Sequence, residues 1–493
     1  MRALGLLALL GLAGPLGLPA GAAEHNFWPF KVEQTAMDDA GGGPVEAWQG
    51  GGPLFFGQLR PGGGSAGGFR PFYVRQEDAD GRKTERDFLY PLLIHRENGG
   101  DHLWSLLSLV NFAGPKDPAA PGVRRFDLWP FYLSRDTGDP ATSYHAVFPL
   151  HGTVLDRFGY DRVTWTLFPL YSRFEHRGVI TTAALWPIVK IIAGDGQHGF
   201  ALWPLFGWRA TAGVDREQYY LWPLIYKDEA KLGEPSPEVK LGVLPFYARN
   251  QQAGALSETY LWPFFGYTHR TAPIHYDETR WFWPLLVQGR GDDRRINRWA
   301  PFYTHSNIQG DDKHWVLWPL FREEKWTDRG LLQTKTQFLY FLYWSLQQRS
   351  AAHPALAPAH KTHLWPFLSD WDDGAGHRQF QVLGSLEVFF PYNEPVRLAY
   401  DPFFALFRYD QRAPGDVRGS FLWDAITWRR SPTHREFHLG PLLSVVSGPG
   451  GRRVALGGGL IGLQRGPEER IGQLFLFDFN PKRNTKVSTA PSP

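Results

Sequence analysis

A proline stands at the centre of the most apolar segments of this chain and recurs at nearly constant spacing. In "YYLWPLIYKD", residues 219–228, Tyr219, Tyr220, Leu221 and Trp222 lead into Pro223, and Leu224, Ile225 and Tyr226 follow it. Proline has no N–H to give a sheet ladder, so it belongs at strand starts, edges and bulges. Any fold built from these segments has to accommodate one such interruption per repeat. Aligned on it, the chain reads "LWPF" at Pro130, "VFPL" at Pro149, "LFPL" at Pro169, "LWPI" at Pro187 and "LWPL" at Pro204 and Pro223. It continues with "VLPF" at Pro245, "LWPF" at Pro263, "FWPL" at Pro284, "WAPF" at Pro301 and "LWPL" at Pro319. The steps run from 17 to 22 residues with a mean near 19. Weaker copies stand at Pro29, Pro71, Pro91, Pro366 and Pro391, and "FLYF" around Tyr340 fills one slot without a proline.

Polar segments such as "DRFGYDR", "RFEHRGV", "AGDGQHG" and "SNIQGDDK" separate the apolar centres, with the glycine and aspartate of β-turns. With 15% aromatic residues and 54 glycines, the spacing predicts an all-β, antiparallel meander of about 19-residue repeats. Two local readings of the proline are open. Each inter-turn segment is one long strand, or each proline is a corner between two strands of about six residues. "TSYHAVFPLHGTVLD" (residues 142–156) favours the first, because Tyr144, Ala146, Phe148, Leu150, Gly152 and Val154 keep one alternation through Pro149. Long strands would cross a bilayer and build a large outer-membrane β-barrel, the architecture we expect. Corners would give a β-propeller or a β-solenoid of hairpins. The apolar character of both faces around Pro223 suits a barrel wall whose inner side is also packed, or the corner.

Residues 1–23 read as a cleaved signal peptide, with Arg2, an apolar run from Ala3 to about Leu12 and small residues from Ala20 to Ala23. Residues 24–479 form a single antiparallel β-repeat domain, and residues 480–493 a disordered tail. "IGQLFLFDF" (residues 471–479) resembles the last strand that outer-membrane barrels present to their assembly machinery, with residues 452–464 as a Gly-rich partner strand. The chain has no cysteine, which removes disulfides and thiolate metal sites. A net charge of +3 over 493 residues, with no basic block, gives no reason to expect nucleic acid. Helix formers never accumulate.

The mature chain resembles a class of uncharacterised exported proteins of Gram-negative bacteria with tandem "LWPL/FPLY" repeats. The matching stretches are "RPFYVR", "FLYPLL", "VFPLHGTVLDRFGYDRVTWTLFPLYSR" and "LWPLFGW". The resemblance implies an envelope location and a repetitive β fold, and supplies no catalytic residues.

Candidate chemistry is sparse, and no catalytic, metal or cofactor residue is expected. "HPALAPAHKTH" (His353, His360, His363) reads as a mobile loop rather than a metal site. "SDWDDGAGH" (Asp370, Asp372, Asp373, Gly374) reads as an acidic turn that lacks the spacing of a calcium loop. Gly62–Gly68 reads as a flexible loop, and Asp292-Asp293 and Asp311-Asp312 as turns. Nine tryptophans stand directly before proline: Trp28, Trp129, Trp186, Trp203, Trp222, Trp262, Trp283, Trp318 and Trp365. Sugar stacking, an interfacial girdle and core filling are the readings. A fixed phase in every repeat points to a structural role. The expectation is a non-enzymatic outer-membrane β-barrel, a pore or envelope scaffold whose partners are the membrane and its barrel-assembly machinery. The alternative is a soluble or surface-associated β-repeat module binding glycan, such as envelope polysaccharide, or protein.

Overall fold

The computed structural model describes residues 24–35, 45–60, 63–386, 388–390, 393–466, 470–474 and 477–479. The expected signal peptide and the tail from residue 480 lie outside them. The described residues form 46 strands, paired antiparallel. They fall into two compact units: residues 95–340, and residues 1–94 with 341–493. Within each, strands pair with their neighbours in chain order, as in a meander. Among the described residues no ladder joins the first strand to the last.

The chain turns at the proline. In the first of these units, Asp215–Tyr220 and Ile225–Ala230 are six-residue strands joined by residues 221–224. The Leu224 N–H donates to the Leu221 carbonyl at 2.8 Å and closes the turn. The peptide bond before the proline is cis here and at its counterparts from Pro130 to Pro319, the turn class that holds proline third of four. "FLYF" turns in the same place without a proline, at residues 339–342. The long-strand reading is therefore replaced by the corner reading.

Turn length explains the two alternation patterns. At Pro149 the turn has three residues between Tyr144–Val147 and His151–Arg157, and Val147 faces His151. Positions equidistant from Pro149 share parity, so apolar alternation passes through in phase although the chain reverses. At Pro223 the turn has four residues, and Tyr219 faces Tyr226 while Tyr220 faces Ile225. Parity switches there, which puts aromatics on both faces. At the opposite margin, two-residue turns such as Asp195-Gly196 and Gln309-Gly310 have positive φ at both positions (43° and 72°; 53° and 89°). That is the type I′ geometry matching strand twist.

Cross-strand packing fills the sheet. Gly207, Tyr219, Tyr226 and Gly242 lie side by side on four consecutive strands. Each tyrosine ring covers the glycine on its outer side, so closely that a Cβ there would collide with the ring. Trp428 over Gly419 repeats the device. A compact core forms around Leu133, Tyr144, Ala146, Val154, Val163 and Trp165.

In the other unit, the meander is interrupted by helices Glu394–Ala399 and Asp401–Phe404, which the sequence reading did not expect. The Asn393 side chain accepts from the Val396 N–H, and a proline sits in the first turn, a local start signal that outweighs poor helix propensity. Leu398 and Ala399 pack on Phe56, Ala66 and Val74. The repeat copy at Pro391 lies outside the described residues. Three further expectations change here. Ser65–Phe69 is a strand, paired with Phe55–Leu59, so Gly62–Gly68 is not one loop. Residues 452–464 form a hairpin, because Gly457–Gly459 turn the chain between Gly451–Leu456 and Ile461–Arg465. The terminal segment is likewise Arg470–Leu474 paired with Phe477–Phe479, not one strand; its Phe475 lies outside the described residues.

Candidate functional site: an apolar turn margin

The proline turns of residues 95–340 share one margin of the sheet. Consecutive turns are joined by backbone hydrogen bonds: Phe168 N–H to Pro149 O, Trp186 N–H to Pro169 O and Trp222 N–H to Pro204 O, each 2.7 Å, and Trp318 N–H to Pro301 O at 2.8 Å. The rings before successive prolines also meet, in tilted pairs. Phe148 meets Phe168 at 5.4 Å between ring centroids, Phe168 meets Trp186 at 5.6 Å, and Trp203 meets Trp222 at 6.0 Å.

This margin faces solvent. Trp129, Trp186, Trp203, Trp222, Trp262, Trp283 and Trp318 are all exposed, from 37% to 58%. Trp28 and Trp365, in the other unit, are half-buried. Core filling is thus not the role of the seven. Phe131, Leu150, Leu170, Leu205, Leu224, Phe246, Phe264, Leu285 and Phe302, each following its proline, are exposed as well.

The strand ends next to the turns are apolar on both faces. The pairs flanking successive turns include Leu202 with Phe206, Tyr220 with Ile225, Tyr260 with Phe265, Trp281 with Leu286 and Val316 with Phe321. Charge collects toward the other margin, as in Arg216 opposite Glu229 and Asp312 opposite Lys325. Arginines near the apolar band direct their heads to polar partners. Arg280 donates to Glu278 at 3.3 Å, Thr268 at 3.2 Å and Ser257 at 3.1 Å, and Arg322 to Glu324 at 2.6 Å. The sheet is therefore amphipathic along its strands rather than across its faces.

The backbone adds a second signal. Leu167, Leu185, Leu221, Leu261, Phe282 and Leu317, each two residues before a proline, have φ between 44° and 53°. A non-glycine residue there costs about 1–2 kcal/mol, and all six side chains are exposed, from 49% to 55%. Burial within the chain does not offset that cost. A recess of about 400 Å³ lies over the strands between the two margins, among Trp129, Leu133, Phe148, Phe158, Trp165 and Phe174.

The other sequence candidates do not assemble into a site. His360 and His363 lie on the strand Ala359–Leu364, not in a mobile loop, because the alternation of "AHKTHL" suits pairing with Leu368–Asp372. His363 is buried, His360 bonds Asp370 at 3.1 Å, and His353 stands apart in the preceding turn. Asp370 and Asp372 are strand residues; Asp373 and Gly374 turn, and Asp370 pairs with Arg378 at 3.1 Å. Asp292-Asp293 lie in a turn, whereas Asp311 opens a strand and Asp312 bonds His305 at 2.6 Å. A comparison with protein-family models and with curated proteins finds no match.

Proposed function

We propose that this protein is a non-enzymatic scaffold of the outer membrane that rests its proline-turn margin in the interfacial zone of the bilayer. The observation that carries the reading is the row of exposed tryptophans and, directly before them, exposed leucine and phenylalanine side chains held out by left-handed backbone at turn after turn. Strain at fixed positions without burial to offset it points to a role for the side chain off the chain. A lipid surface suits it: tryptophan favours the headgroup region, and the arginine heads turn away from the apolar margin, as snorkelling requires. The turn and the first strand pair reach roughly 10 Å, comparable to the depth at which interfacial elements sit. A pore wall needs strands of roughly 9–11 apolar-faced residues, and six-residue strands with a charged half suit seating better than spanning.

Flotation with zwitterionic and anionic vesicles tests this. The intact protein floats with both and stays bound at high salt, and Trp222→Ser with Trp262→Ser and Trp318→Ser weakens binding. Wild-type protein remaining below the vesicles overturns the reading.

A further inference from the structure

We propose that the open cavity of about 1010 Å³ in the unit comprising residues 1–94 and 341–493 binds an acidic saccharide, one carrying a carboxylate or phosphate. Most of its basic side chains are already balanced. Arg60 pairs with Glu394 at 2.7 Å, Arg412 with Glu46 at 2.6 Å, Arg408 with Asp410 at 2.8 Å, and Arg418 with Glu24 and Asp424, both at 2.9 Å. Two lining guanidinium groups are not. Arg70 is 4% exposed and has no carboxylate within ion-pair distance among the described residues. Its Nε donates to the Leu398 carbonyl at 2.6 Å, its Nη1 to the Pro53 carbonyl at 2.9 Å, and its head lies 3.5 Å over the Phe56 ring. Burial, reinforced by the nearby Arg408 charge, pulls its pKa down to about 9, although Asp424 and Asp401 act in the opposite sense. Arg397, exposed on the neighbouring helix, lines the same cavity without an ion pair among the described residues.

A buried cation that pairs with no carboxylate directly is costly, and an anion in the cavity would relieve it through charge-assisted hydrogen bonds. The rest of the lining narrows the class to sugars. Trp48, Trp371 and Trp423 line it, and indole offers a flat apolar surface to the C–H face of a sugar ring. Gln58 and Gln379 also line it, and their side-chain amides make no hydrogen bond with the described residues. Primary amides donate and accept together, which matches hydroxyl groups. A free phosphate would use the arginines and leave the indoles and amides idle.

Calorimetric titration of the intact protein with oligogalacturonate, a hexose 6-phosphate, a neutral maltooligosaccharide and inorganic phosphate tests the proposal. At least one acidic sugar binds, the neutral sugar and phosphate bind at least roughly tenfold more weakly, and Arg397→Ala weakens the acidic sugar by roughly tenfold, the scale of one lost charge-assisted bond. Trp371→Ala, also at an exposed position, weakens it without changing the melt, so the result does not depend on an Arg70 variant folding. Equal binding of the neutral sugar overturns the acidic requirement, phosphate binding as tightly as the sugars overturns the saccharide, and no binding of any probe overturns the site.

Discussion

Adding one methyl group at Gly242 should unseat a tyrosine ring on the next strand. Gly242 faces Tyr226 in register, and a Cβ at Gly242 would overlap Cε1 and Cζ of that ring and lie 2.8 Å from Cδ1. The ring has to swing off the strand. If that exposes about 60–80 Å² of apolar surface, the loss is ~1.5–2 kcal/mol at ~25 cal/mol per Å². Replacing a strand glycine by alanine returns ~0.5 kcal/mol through chain entropy. Gly242→Ala should therefore destabilise its neighbourhood by ~1–1.5 kcal/mol, whereas in a Tyr226→Ala background it should be neutral or slightly stabilising, a coupling near 2 kcal/mol. A chain of many repeats need not melt as one unit, so the readout is hydrogen exchange of residues 225–243. Gly207→Ala with Tyr219 is the mirror case on the other side of the same row. Additive single and double variants would refute the ring-over-glycine account.

Other consequences concern charge and the turn margin. Glu24 is fully buried; desolvation pushes its carboxyl up, but Arg418, by charge and hydrogen bonding, outweighs this and holds it below the usual range. Its stabilisation is complete above the unfolded-state value near 4.3 and is lost as pH falls through the lower folded value, so acid unfolding of this unit should move to higher pH in Glu24→Gln. At neutral pH that variant should cost about 2–4 kcal/mol in a denaturant melt, since Asp424 still faces Arg418. Glu258 accepts from three phenols, Tyr267 at 2.6 Å, Tyr247 at 2.7 Å and Tyr260 at 2.8 Å, which hold its carboxyl low and help push the Tyr247 phenol up to about 12 after burial has done most. Glu258 and Tyr247 are half-buried while Tyr260 and Tyr267 are exposed, so Glu258→Gln should lower the melting temperature only slightly while bringing Tyr247 ionisation down in an ultraviolet titration. Leu221→Asn suits the left-handed backbone, so it should leave the melt unchanged within about 0.5 kcal/mol and still reduce vesicle binding.

The repeat, its antiparallel pairing and most polar turns were legible in the sequence, because glycine and proline mark turns by backbone chemistry alone. Whether the chain goes straight or bends at Pro149 was not legible from alternation. A three-residue turn preserves parity, so "TSYHAVFPLHGTVLD" reads as one strand although it is a hairpin. "YYLWPLIY" did carry the answer, since apolar side chains on both sides of the proline and both faces are what a four-residue corner produces. The tryptophans were visible but their environment was not, because exposure depends on which margin the turns share. The cavity lay beyond sequence reading altogether: Arg70 and Arg397 are separated by most of the chain, and only folding brings them to one wall.

The claim that the proline-turn margin enters a bilayer can be measured directly, because the chain contains no cysteine and accepts a single labelled one cleanly. An environment-sensitive fluorophore at Leu224→Cys or Leu320→Cys sits on the proline-turn margin, and at Glu234→Cys or Asp311→Cys near the opposite one. With vesicles whose lipids carry a quencher at a shallow or a deep acyl position, the first two labels should turn blue and be quenched, more by the shallow quencher. The second two should keep their aqueous spectra. Equal quenching at both margins, or aqueous spectra at all four positions with vesicles in excess, would contradict the account.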